Sequence, residues 1–312
     1  MLLSLAVGTS GLPLREVAGG LLGTGTETAR LVVRRLRLPR TLIGFSAGAA
    51  LSVTGALLQG MLRNPLADPY LLGVSSGAAL GATVSFLVAP GHWLAVLSGA
   101  LLGAAAAASL VYLLAGRAGF PPQSLILAGV MVSSFASALV LLLDALMDAP
   151  QLQGAILWTM GSLASPPPGA AWWMLPATLA GLALVIPRAR VLDLLSQGEE
   201  TAASLGVEVE REKRILFGAA CLLAAVTVAA AGLIGFVGLV VPHAVRLATG
   251  PGHARLLAGS ALAGGAFLLL ADVAARVVVA PAELPVGVVT ALVGAPLFLA
   301  LLAGRGRGRA GW

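Results

Sequence analysis

Charge is scarce in this sequence. Asp, Glu, Lys and Arg make up 10% of its 312 residues, against roughly 25% in an ordinary soluble domain. Hydrophobic residues make up 58% and mean hydropathy is +0.98, so a soluble chain of this length could not cover its apolar surface. Cysteine is nearly missing: Cys221 stands alone inside an apolar run, which excludes a disulfide framework and a Cys-based metal site. It reads as a small buried hydrophobe. Lysine is nearly missing too, with Lys213 the single one beside 18 arginines. A phosphate-binding loop needs Lys before Ser or Thr, and Lys213 stands in "EREKRIL". The chain therefore cannot hydrolyse ATP by that route. His92, His243 and His253 form no His-Glu pair at zinc spacing, and no serine sits in a nucleophile elbow. No catalytic residue and no metal ligand is expected, which leaves an intramembrane enzyme without its chemistry. The net charge of +6 comes from arginines between apolar runs, which suit lipid headgroups and partner proteins rather than nucleic acid.

What is present is apolar length. Charge-free runs cover Thr41 to Leu62, Pro69 to Gly116, Ala118 to Leu143, Ile215 to Val245 and Leu284 to Gly304. A spanning helix needs about 20 apolar residues, so several runs hold one span and the longest holds two. The fold class is all-α: a polytopic helical membrane protein of about ten transmembrane helices, the first one truncated. That first one is "MLLSLAVG", too short to span and without the marks of a signal peptide. It resembles the tail of a helix whose beginning is missing. Further spans are expected near 41–62, 71–89, 93–116, 122–144, 172–187, 215–231, 233–247, 256–276 and 286–303. Pro90-Gly91-His92 divides the longest run, and Trp172 and Trp173 open a span as interface anchors. Residues 11–40 form a basic connection with a short helix around Thr26 to Leu38, and 145–171 form a loop with Trp158 and Pro166-Pro167-Pro168. Small residues repeat every four positions at Gly44 and Gly48, Gly77 and Gly81, and Gly99 and Gly103. Such spacing lets membrane helices approach closely.

If the basic tail (Arg305, Arg307, Arg309) is cytoplasmic, alternate loops place twelve Arg/Lys inside and seven outside, in the direction of the positive-inside rule. Six of the seven outside lie in 15–40, an exception that asks for a reason. Among acids, only Asp272 lies within a span, close to its end, while Asp144 is the terminal residue of another. The carboxylate pathway of a secondary transporter, the alternative to an ATP-driven one, is thus poorly supplied.

The charged segment 188–214 is the most informative connection. Ser196 and Glu199 have capping-box spacing, Glu199 and Glu200 suit a helix N-terminus, and Gly206 can end the helix in a left-handed cap. One or two turns result, carrying Ala202, Ala203 and Leu205. So short a helix is unstable alone in water and is expected to dock on a partner. At "RNPLADPYLLGVSSGAALGA" an apolar segment breaks on Asn-Pro, where Pro removes a helix donor.

Together, "RNPLADPYLLGVSSGAALGA", "GEETAASLGV", "GLIGFVGLVVPHAVRL" and "AELPVGVVTALVGAPLF" resemble the FecCD family of ABC-importer permeases, in the right order over nearly the whole chain. The front departs from the pattern, since the family's first helix is mostly absent. The resemblance implies one transmembrane permease domain over 1–312, with 11–40 as an external loop and 188–214 as a cytoplasmic coupling loop. It implies import of an iron-siderophore, haem or cobalamin across the cytoplasmic (inner) membrane by alternating access. The partners implied are a second permease subunit, expected as an identical copy, a cytoplasmic ABC ATPase dimer and an external substrate-binding protein. ATP and Mg would be held by the ATPase, with no cofactor and no metal on this chain. Carried over by position, Gly198, Glu199, Glu200, Ala202, Ala203, Leu205 and Gly206 match the ATPase-coupling helix. Asn64, Pro65 and Leu66, with Pro122 and Gln123, match cytoplasmic gate loops. Arg37 in "LRLPR" and Arg276 in "ADVAAR" match arginines that meet acidic residues of the binding protein.

Overall fold

A computed structural model describes residues 1–7, 13–116 and 121–305. Arg307 and Arg309 of the basic tail lie outside the described residues. The chain begins with three short helices, α1 (Leu2–Ala6), α2 (Leu14–Leu22) and α3 (Glu27–Leu31), and then α4 (Leu38–Met61). An antiparallel pair follows, α5 (Val74–Val88) and α6 (Trp93–Gly116), then α7 (Pro122–Asp144), α8 (Ala149–Thr159) and α9 (Ala170–Val185). Two helices, α10 (Ala189–Gln197) and α11 (Glu199–Ser204), lead to the last four: α12 (Val209–Ala231), α13 (Val237–Thr249), α14 (His253–Val277) and α15 (Val286–Arg305). Among the described residues, six helical stretches are long and apolar enough to cross a membrane, and α5, α13 and most of α15 form shorter apolar helices.

The axis of this bundle is α4. Every residue from Ser46 to Met61 is buried, as expected for a helix apolar on all sides and covered by others. Glycine makes that covering close. A methyl at Gly48 would collide with the Gly264 carbonyl of α14, and one at Gly55 with the Gly238 carbonyl of α13. The four-residue spacing does the same elsewhere: Gly77 meets Gly103 and Gly81 meets Gly99, carbonyl against Cα, along the antiparallel α5–α6 pair. Backbones in direct contact maximise dispersion where lipid offers no hydrophobic drive.

The expected spans at 93–116 and 122–144 coincide with α6 and α7. Two connections differ from expectation. The helix expected around Thr26 to Leu38 forms, with Thr26 capping α3 by accepting from the Ala29 N–H at 3.2 Å, but it is no separate element: it runs without a break into α4 through a π-helical stretch at Val32–Arg37. The reason lies at Pro39, which cannot donate to the carbonyl of residue 35 and would clash with it in α-helical register. In the wider π turn Leu38 instead donates to Val33, and the helix passes the proline intact. The expected loop 145–171 contains α8, opened by a capping box in which Asp148 accepts from the Gln151 N–H and the Gln151 side chain accepts from the Asp148 N–H.

Candidate functional site

Two regions at opposite ends of α4 gather the polar chemistry. At the Met61 end, the helix stops in a turn that places Arg63 at φ 48, a left-handed backbone that is costly for a residue with a side chain. Arg63 N–H donates to the Gly60 carbonyl and Asn64 N–H to the Gln59 carbonyl, the paired bonds of a Schellman motif. The Asn64 side chain then accepts from the Leu66 N–H at 2.9 Å, fixing the Asn-Pro-Leu turn. Beyond it the chain turns back into the bundle. Pro69 packs on Gly238 beside the Leu51 carbonyl, on the order of 10–15 Å back along α4 from Met61 at 1.5 Å per residue. Leu71 lies against Gly129 of α7, where a methyl would strike its carbonyl. From Ala67 to Gly73 this stretch, a single 3-10 turn at Pro69–Leu72 entered from a loop, is enclosed by protein, the condition under which irregular backbone is tolerated at membrane depth. Leu66 is exposed. Pro122 is buried as the first residue of α7, and Gln123 is exposed.

The segment expected to couple to an ATPase lies at the same end. Residues Ala170–Gln197 form one helical stretch, which α10 ends at Gly198. Gly198 has φ 130 and ψ 147 and is the N-cap of α11, with no side-chain cap bond. The capping box expected from Ser196 and Glu199 does not form. Ser196 belongs to the preceding helix and donates to the Asp193 carbonyl at 2.7 Å, while Glu199 reaches the Lys213 ammonium at 2.7 Å. Lys213 is 1% exposed, so this pair joins α11 to α12. At the far end Gly206 (φ +86) and Val207 donate to the Ala203 and Ala202 carbonyls, closing the helix as the sequence predicts. Of the expected coupling residues, Ala202 faces inward and is fully buried, whereas Glu200, Ala203, Leu205 and Gly206 face solvent. Leu205 is 62% exposed, a large apolar side chain on a helix of six residues.

The other end of α4 holds a buried ion cluster. Arg40 donates to both oxygens of Asp272, at 2.8 Å from Nη2 and 3.0 Å and 3.2 Å from Nε, and to Glu283 at 2.9 Å. Asp272 also pairs with Arg276 at 3.1 Å and is 1% exposed. Its charge is thus held between two guanidiniums, a geometry in which bidentate bonds are strong. Arg37 and Arg276, which the resemblance matches to docking arginines, do not stand free at the surface. They are 6% and 4% exposed and donate to carbonyls at the end of α1. Arg37 reaches Leu5 at 2.6 Å and Ala6 at 3.1 Å; Arg276 reaches Val7 at 2.7 Å and Ser4 at 3.3 Å. Carbonyls at a helix C-terminus have no intrahelical donor, and cations suit that end. Arg34 serves α2 in the same way through Gly20 and Leu21. These bonds give three of the six arginines of 15–40, Arg34, Arg37 and Arg40, a structural reason. A cleft of about 470 Å³ remains, lined by Arg35, Arg37, Arg40, Arg276 and Glu283 among others, with Arg35 exposed. Arg40 escaped the sequence reading, although "LRLPR" contains it three positions after Arg37.

A helical bundle built on backbone-to-backbone glycine contacts, with six helical stretches long and apolar enough to cross a membrane among the described residues, defines a multi-pass membrane protein. Residues 1–304 match the FecCD transport family, and the chain belongs to that family. It is 44% identical to the cobalamin import system permease protein BtuC of Halobacterium salinarum, over 89% of this chain and 75% of that one. It is 41% identical to the hemin transport system permease protein HmuU of Yersinia pestis, over 88% of this chain and 84% of that one. A solved inward-facing conformation of a transporter assigned to the metal-chelate type of ABC transporter superposes with a TM-score of 0.85 at 32% identity, covering 97% of this chain and 94% of that one.

Proposed function

We propose that the chain is the membrane permease subunit of an ATP-driven importer of the cytoplasmic (inner) membrane, moving a metal chelate of the iron-siderophore, haem or cobalamin class by alternating access. The observation that carries this reading is α11. It presents Glu200, Ala203 and Leu205 to solvent while Ala202 and the Glu199–Lys213 pair fix it to the bundle, so a load applied to its outer face reaches α12 and α10. The chain has no phosphate loop of its own. A cytoplasmic ABC ATPase dimer would hold ATP and Mg, close on nucleotide and push α11. The Asn64–Leu66 turn and the Pro122–Gln123 start of α7 would then change their spacing as the inner gate. A second permease subunit, expected as an identical copy, completes the path. No bond to the cargo is made or broken, and no cofactor is needed on this chain.

At the other end, an external binding protein would dock over the arginine cleft. Arg35 offers the accessible charge there, and Arg37, Arg40 and Arg276 supply positive potential from its walls. Complementary charge of this kind acts mainly on orientation and association rate. The relatives support the cargo class, since their names specify cobalamin, hemin and metal-chelate transport. The test is reconstitution into vesicles with the ATPase and binding protein, offering labelled cobalamin, haem and a ferric siderophore in turn. The reading expects uptake of one of them that requires ATP and all three components, with no ATP hydrolysis by the permease alone. Uptake driven by an ion gradient without the ATPase would replace it with a secondary transporter.

A further inference from the structure

We propose that Asp193 and His253 form a positioning pair that carries displacement of the α10–α11 segment to the end of α4 from which the gate turn hangs. The inference rests on the permease reading and adds to it two residues and a route. It starts from α10, whose buried face is Ala189, Leu192 and Leu195. Asp193 stands at the edge of that face. Its Oδ1 accepts twice from one residue of another helix, from the His253 backbone N–H at 2.9 Å and from ring Nδ1 at 2.7 Å. His253 is the first residue of α14, and the N-cap position before it is Gly252. Glycine has no side chain to accept from an orphan N–H of the first turn. α10 therefore supplies the cap that α14 lacks, with its carboxylate at the positive end of the helix.

The ring is what turns a cap into a link. Capping needs only the backbone bond, yet the imidazole is also held, and His253 is 4% exposed. With Nδ1 donating to Asp193, the other nitrogen, Nε2, is buried without a hydrogen-bond partner, an arrangement that costs stability. It faces Gly60, where a methyl group would lie 2.5 Å from Nε2. Gly60 is the residue whose carbonyl accepts from Arg63 N–H to start the gate turn. Only glycine leaves room for the ring edge to press on the backbone there. A second approach closes the circuit: the Arg63 guanidinium lies 3.9 Å from the position of a β-carbon on Gly198, the residue joining α10 to α11. The gate turn thus faces the coupling segment at two points, against the His253 ring and where the Arg63 guanidinium approaches Gly198. α10 also packs along both α4 and α14, so a movement of α10 cannot leave the ring behind while the Asp193 bonds hold.

The experiment measures cargo moved per ATP hydrolysed in the reconstituted complex. Asp193→Ala and His253→Ala should each lower that ratio by about tenfold or more, while complex assembly and ATP hydrolysis stay within about threefold of wild type. The double variant should be no worse than either single one, because the two residues act as a unit. Asp193→Asn keeps the accepting oxygen and should retain most of the wild-type ratio. His253→Asn separates link from cap, and it also covers the case in which the alanine variants fail to assemble. It can still donate to Asp193 but cannot reach Gly60, so the link predicts loss of coupling where a mere cap predicts wild-type coupling. An unchanged ratio in His253→Asn, or additive losses in the double alanine variant, would overturn the proposal. Wild-type vesicles run alongside separate the two readings: ATP-driven uptake by wild type with unchanged ratios in the variants removes the pair alone, whereas absence of ATP-driven uptake in wild type removes the permease reading as well.

Discussion

At one end of α4, Asp272 is 1% exposed and held by two guanidiniums. At the other end, Glu200, Ala203 and Leu205 stand in solvent on a helix of six residues. The first arrangement joins α1, α4, α14 and the connection at Glu283 through bonds that run among buried side chains and carbonyls. The second is fixed to the bundle through the Glu199–Lys213 pair and the buried Ala202, and it leaves its outer face open. The contrast teaches which end can move. Where charges are buried and mutually satisfied, any displacement leaves a charge unpaired in a medium that cannot solvate it. Where the anchoring bonds are few and the face is exposed, displacement is inexpensive, and elements that move are drawn from such regions. The arginine end is the held frame, and the α11 end is the one less constrained by buried charge.

The largest effect should come from breaking the frame. Asp272→Ala leaves Arg40 and Arg276 buried without their shared carboxylate, a loss on the order of 3–5 kcal/mol. Thermal unfolding of the purified protein in detergent should show a large drop in midpoint, and a wild-type midpoint would mean that the cluster bears no load. The next effect sharpens the contrast from the other side. Ala203→Trp alters an exposed position, so stability should change by about 0.5 kcal/mol or less. Transport by the assembled complex should nevertheless be abolished, since a face that fits a partner's cleft does not tolerate overpacking. Unchanged uptake and unchanged copurification of the ATPase would remove α11 from the coupling role. The smallest effect concerns the accessible arginine. Arg35→Glu should weaken capture of the binding protein by about fivefold or less at low salt, the range of exposed ion pairs, and the effect should fade as salt is added. Equal capture by Arg35→Glu and wild type at low ionic strength would leave this charge without a docking role.

Much of the fold was legible in the sequence. Pro90-Gly91-His92 divides two apolar runs, and the start of α6 falls at Trp93 as that break requires. The glycine spacings identified close helix approach, though not which helices meet: that Gly81 faces Gly99 while Gly48 faces Gly264 is a tertiary fact. A missed element did carry a signal. Asp148 and Gln151 have the capping-box pattern that opens α8, and the prolines and Trp158 around them suggest a loop instead. The same pattern misled at Ser196 and Glu199, because a spacing of three does not say whether the first residue has already joined a preceding helix. The φ of 130 at Gly198 decides that, and no neighbouring side chain announces it. Among site residues, the turn at Asn64 and the left-handed end at Gly206 are local and were readable. The burial of Arg37, the role of Arg40 and the meeting of Asp193 with His253 join residues far apart in the chain. No local pattern encodes such contacts.

One distance measurement tests the contrast between the ends most directly. With Cys221 replaced by Ser, spin labels at Leu205→Cys and Leu113→Cys report on the coupling end, and labels at Arg30→Cys and Val278→Cys report on the arginine end. All four native positions are exposed. In the assembled complex, adding nucleotide should shift the Leu205–Leu113 distance distribution and leave the Arg30–Val278 distribution in place. A nucleotide-dependent shift at the arginine end with none at the coupling end would contradict the account.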